Sequence, residues 1–151
     1  MEDRAAQVVF TLTQFPTVQR VTFHIAGKPI AALGGEGIPA NNVSRADFTN
    51  ATPLVLVETP VPFQTVASPL VVTGLSNTFE ATVNYTVTGP TGAVLAEGFT
   101  TATAGSGTWG TFRFTATLKA TSAGAGQLSA YQVSPKDGSR QDVYDVPIHL
   151  S

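Results

Sequence analysis

The sequence predicts a mainly β chain: a seven-stranded antiparallel sandwich preceded by a partial α/β unit of one helix and one strand. Three observations carry this. Apolar residues recur at every second position from Leu54 onward, turn-forming stretches punctuate those runs, and only residues 3–15 show helical spacing. At 151 residues the chain accommodates one ordinary domain plus a shorter segment, and the change of pattern places the expected boundary between 1–52 and 53–151.

The helix is read first. Ala5, Val8, Val9 and Leu12 fall at i, i+3, i+4 and i+7, one stripe of a helix. Glu2 and Asp3 sit where a helix N-terminus favours negative charge, and Asp3 is the expected cap. Pro16 is the expected stop, because proline pushes Phe15 out of the helical region. Val and Thr are indifferent helix formers, so packing must hold this segment. Next, Val21, Phe23 and Ile25 alternate with Thr22 and His24, a half-buried strand over 18–26 that Gly27 and Pro29 break. One helix against one strand cannot close a core. The missing sheet is expected from residues upstream of this segment, from downstream residues, or from another chain.

Residues 31–53, "AALGGEGIPANNVSRADFTNATP", have few periodic apolar positions and read as a connector. Seven strands then follow: Leu54–Glu58, Leu70–Leu75, Phe79–Val87, Ala93–Phe99, Thr111–Leu118, Gln127–Val133 and Val143–Leu150. The clearest is "FEATVNYTV", where Phe79, Ala81, Val83, Tyr85 and Val87 share one face. Phe112, Phe114, Ala116 and Leu118 repeat the alternation. "TGPTG", "AGSGTWG", "SAGAG" and "PKDGS" supply turn chemistry between strands. Short strands at this spacing indicate a sandwich of immunoglobulin or fibronectin type III style, without the cysteine–tryptophan–cysteine signature of antibody domains. Pro147 inside the last strand suits a sheet edge.

Bulk composition narrows the function. Charged residues make up only 12% of the chain and the net charge is −2, which leaves no electrostatic footprint for nucleic acid. There is no cysteine, hence no thiolate or disulfide chemistry. No apolar run is long enough to span a bilayer, and the acidic, polar start is unlike a signal peptide. An export signal or lipid anchor is expected upstream of Met1.

Two stretches resemble known families. "RAAQVVFTLTQFPTVQRVTFHIAGKPI", with Arg45, Asp47 and Phe48 of "SRADF", resembles the C-terminal part of a GerMN domain of bacterial sporulation and germination proteins and envelope lipoproteins. The remainder, through "ASPLVVTGLSNTFEATVNYTV", "GSGTWGTF" and "SPKDGS", resembles the immunoglobulin-like domain of bacterial spore-germination proteins. The resemblance implies a non-enzymatic, extracytoplasmic interaction or assembly module of the cell envelope. The expected contact is a protein partner or a second copy of the chain, through residues 3–26.

Candidate chemistry is sparse. His24 and His149 each take the polar phase of a strand and are read as solvent-facing. A serine nucleophile needs an oriented base, and no Gly-x-Ser-x-Gly elbow exists. Asp137, Asp142 and Asp145 are oxygen ligands in type, but "PKDGSR" is also an ordinary Asp-Gly turn. Glu80 and Glu97 lie on exposed strand phases without a pocket for acid–base work. The glycines of "GGEG" and "AGSGTWG" lack the strand–loop–helix context of a phosphate cradle and read as flexible loops. The sequence therefore assigns no catalytic residue, no metal site and no cofactor. Trp109, the only tryptophan, is the one candidate contact: either a cap on the sandwich core or an exposed ring for a partner or a sugar. The second option carries the alternative function, a carbohydrate- or peptidoglycan-binding module.

Overall fold

The computed structural model describes residues 1–15 and 17–151, and the chain divides into two units, Met1–Thr52 and Pro53–Ser151. Each is described by itself. Pro16, the expected helix stop, lies outside the described residues.

In the first unit helix α1 spans Glu2–Leu12, three residues shorter at its end than expected. Asp3 does not cap it. Met1 holds the cap position with no side-chain bond, and Glu2 and Asp3 lie inside the first turn. At the other end the Thr13 amide and hydroxyl both donate to the Val9 carbonyl, at 2.9 and 2.7 Å. The buried stripe is Ala5, Ala6 and Val9, not Ala5, Val8, Val9 and Leu12. Val8 and Leu12 stay 42% and 39% exposed. Two adjacent alanines leave room for a large ring, and the fully buried Phe48 takes it, clustered with Val43 and Ile38.

That cluster corrects two expectations. The strand over 18–26 is regular only at β1 (His24–Ile25), which turns through Ala26 and Gly27, at φ 50° and 77°, into β2 (Lys28–Pro29). Val21 instead exchanges both backbone bonds with Val43, at 2.8 and 2.9 Å, and the Phe23 amide donates to the Ala40 carbonyl. Residues 31–53 are thus more than a connector. They hold β3 (Ala32–Leu33) and β4 (Ile38–Pro39), joined across the "GGEG" turn, and a 3-10 helix at Arg45–Ala51. Of the three sources expected for the missing sheet, the downstream residues supply these partners.

Arg45 and Asp47 fix the geometry. The Arg45 guanidinium donates to Thr13 Oγ1 at 2.8 Å and to the Phe10 carbonyl at 3.3 Å, with its carbon 5.2 Å from the centre of the Phe10 ring. A cation therefore serves the C-terminal turn of α1, which has no basic residue of its own. The Ser44 amide and hydroxyl both donate to the Asp47 carboxylate, at 2.7 and 2.9 Å, and start the 3-10 helix.

The second unit is a sandwich. A three-stranded sheet, in order β10 (Gly110–Ala116), β7 (Leu70–Ser76), β5 (Val55–Thr59), faces a five-stranded sheet. The latter runs β6 (Thr65–Val66), β12 (Arg140–Leu150), β11 (Gly124–Val133), β8 (Thr82–Thr88), β9 (Val94–Thr101). All pairs are antiparallel except β12 with the short β6, a strand that the sequence did not indicate. Alternation does the work: Leu70 and Val72, Val83 and Val87, Leu128 and Ala130, Val146 and Ile148 point inward and form one cluster. Tyr85 and Phe114 stack at 4.0 Å between ring centres beside it.

Two local departures have physical causes. Phe79–Ala81 is a 3-10 turn rather than strand, with Glu80 and Ala81 at positive φ, so Phe79 leaves the inner face and stands 54% exposed. Pro147 lies within β12, whose outer side is covered only at His149 and Leu150 by β6. The Phe63 amide donates to the Pro147 carbonyl at 2.7 Å, so the amide that proline lacks would face that same side, outside the β11 ladder.

Gly74 is required by close approach. A Cβ there would lie 2.1 Å from the Leu56 carbonyl oxygen and 2.5 Å from the Phe112 ring. Gly74→Ala is expected to cost about 1–3 kcal/mol in urea unfolding. Phe48→Ala is expected to remove about 3–5 kcal/mol, read as lost amide protection over residues 1–52. Ser44's amide, and next its hydroxyl, hold the Asp47 carboxyl below its ordinary 3.8. A lowered folded value means the bond's stabilisation is full above that ordinary value and is lost as pH falls through the folded one. Asp47→Asn should flatten this part of an acid titration followed by circular dichroism.

Candidate interaction site

Among the described residues of 3–26, several large apolar side chains stay exposed. Because α1 buries Ala5, Ala6 and Val9, the next stripe around the helix, Val8 and Leu12, is turned outward. Phe15, in the turn that follows, is 60% exposed, and Ile25 at the hairpin tip is exposed as well. Val8 and Leu12 are i, i+4 neighbours on one face of α1, and Phe15 follows in the turn after it. The Arg45 bonds to the last turn of α1 hold this face in place. The periodic pattern marked the helix but not which of its two apolar stripes turns inward. The only available signal was Phe48, a large ring that needs small neighbours.

Trp109 lies in the loop between β9 and β10, half-buried, and is not one of the side chains packed against the sandwich core. The loop is tied down, contrary to the flexible reading of "AGSGTWG". The Ser106 amide donates to the Thr78 carbonyl and its hydroxyl accepts from the Glu80 amide, at 2.9 and 3.0 Å. The Gly107 amide donates to Asn77 Oδ1 at 2.8 Å. Gly105 packs so tightly that a Cβ would lie 2.5 Å from backbone atoms of Ala81 and Thr78.

His24 and His149 are both exposed and belong to different units. His149 stands 6.5 Å, ring centre to ring centre, from Phe63. Asp137 accepts from the Ser139 hydroxyl and amide, at 2.7 and 3.0 Å, closing the turn with Gly138 at φ 73°. Those bonds, the hydroxyl first, hold its carboxyl below the ordinary value. Gln132 donates to Asp142, and the Ser129 hydroxyl donates to Asp145 at 2.6 Å. Glu97 is exposed on β9, and Glu80 sits in the turn before β8. Among the described residues no three His, Cys, Asp or Glu side chains gather as a metal site, and no helix is long and apolar enough to cross a membrane.

Comparison with known proteins agrees with both halves of this architecture. A family model described as sporulation and spore germination, Germane, matches residues 1–31. Another, described as the immunoglobulin-like domain of bacterial spore germination, Gmad2, matches residues 54–139, more than half of the chain and most of the sandwich. No match was found among curated proteins. The β-sandwich and the matched span together place the chain in the Gmad2 family of immunoglobulin-like domains of bacterial spore germination.

Proposed function

We propose that the chain is a non-enzymatic interaction module of an extracytoplasmic cell-envelope protein, and that residues 3–26 carry its assembly contact. One observation bears most of the weight: the Val8–Leu12–Phe15 face stays exposed although α1 has already buried a separate stripe in its own core. A helix with two apolar sides is suited to two partners, one within the unit and one outside it. The family's association with sporulation and germination supports an envelope setting. The Asp137 and Asp145 carboxylates are each taken up by a neighbouring serine, which supports a role without chemistry of its own.

The second reading, a carbohydrate- or peptidoglycan-binding module, is favoured by Trp109, half-buried in a loop that hydrogen bonds to Asn77, Thr78 and Glu80 tie down. Ring stacking on a pre-ordered aromatic is how a surface recognises sugars at low entropic cost.

Sedimentation should show a mean mass that rises with concentration. Leu12→Lys should abolish that rise and shift stability by no more than about 0.5 kcal/mol, as for other surface changes. A strictly monomeric mass over a wide concentration range would remove self-association through this face. For the second reading, tryptophan fluorescence should change on titration with muropeptides, and Trp109→Ala should lose the binding seen by calorimetry. Unchanged fluorescence and no chemical-shift changes would end that reading.

A further inference from the structure

Beyond the Trp109 loop, β10 continues with its side chains alternating across the three-stranded sheet. Gly110 and Phe112 are buried on the inner face, so Thr111 and Arg113 take the outer phase, about 7 Å apart along the strand. On that outer side lies an open cleft of about 390 Å³, within the ~300–1,000 Å³ typical of small-ligand sites. Thr73, Thr101, Thr103, Thr111, Arg113 and Glu58 line it, over Gly74 and Phe112.

The two walls are clamped together. The Thr103 amide donates to the Thr111 carbonyl, and the Thr111 amide donates to the Thr103 hydroxyl, both at 2.9 Å. The two hydroxyls lie 3.4 Å apart. Among the described residues no protein hydrogen bond uses the hydroxyl of Thr73 or Thr101, and no ion pair reaches the Arg113 guanidinium. Arg113 stands opposite Thr73, which stands opposite Thr59 next to Glu58. Two strand spacings, about 10 Å between backbones, separate Arg113 on β10 from Glu58 on β5.

The Thr73 and Thr101 hydroxyls, the paired Thr103 and Thr111 hydroxyls and one cation are groups that bind a sugar acid. Hydroxyls exchange hydrogen bonds with ring hydroxyls, and a guanidinium takes a carboxylate in paired, charge-assisted bonds. We propose that this cleft binds a carboxylate-bearing sugar, with the acid on Arg113 and ring hydroxyls on the threonines. The proposal rests on the glycan reading and specifies its ligand class.

The test uses the full chain with two probes, N-acetylmuramic acid and its neutral counterpart N-acetylglucosamine, followed by amide chemical shifts. The acid should shift Thr101, Thr111 and Arg113 and bind at least about tenfold more tightly than the neutral sugar. Arg113→Gln should erase that preference, and Thr101→Val should weaken both sugars, with the melting temperature of each variant unchanged. Equal binding of both sugars, indifferent to Arg113→Gln, would overturn the acid site while leaving a glycan contact at Trp109. No shift with either sugar would overturn the site and the glycan reading together.

Discussion

Everything in the second unit depends on the period-two burial of short strands between two sheets. Each of β7, β8, β11 and β12 contributes alternate apolar residues to one cluster. A slip by one residue would turn such a set to solvent. Backbone constraints then adjust what alternation alone leaves open. Gly74 allows the Phe112 ring to lie against β7, and Tyr85 stacked on Phe114 fills the space beside the closed core. The loops inherit their rigidity from this frame: Asn77, Ser106 and Gln132 bind backbone amides of the segments next to them.

The first unit obeys a different rule. Its two-residue strands cannot hold a sheet by themselves, and its helix has no side-chain cap. One large ring, Phe48, and one cation, Arg45, supply what local structure does not. The ring gathers Ala5, Ala6 and Val9 into a core, and the cation binds the end of the helix across more than thirty residues of sequence. Because that small core takes only one stripe of α1, the other stripe stays exposed. The proposed assembly role thus follows from how the unit is packed.

The difference between the units also explains how much was legible in the sequence. All seven expected strands of the sandwich occur, because each strand's own alternation carries its signal. The start of "FEATVNYTV" misled, since Phe79 keeps the spacing while Glu80 and Ala81 adopt left-handed backbone that spacing cannot reveal. In the first unit the decisive contacts, Val21 with Val43 and Arg45 with Thr13, join residues that no local pattern connects. The helix was therefore visible but its inward face was not, and a stretch that looked like a connector holds the ring at the centre of the core. Trp109 was legible as an unusual residue. The threonines and Arg113 beyond it became a cleft only when β9 and β10 were brought together.

Residues 1–52 close their own core around Phe48 and leave the Val8–Leu12 face outward. Nuclear Overhauser contacts between the Phe48 ring and the methyl groups of Ala5, Ala6 and Val9, recorded at high dilution, test it most directly. Strong contacts to those three residues, and none to Val8 or Leu12, are the predicted result. Contacts from Phe48 to Val8 or Leu12, or contacts that appear only on concentration, would contradict it.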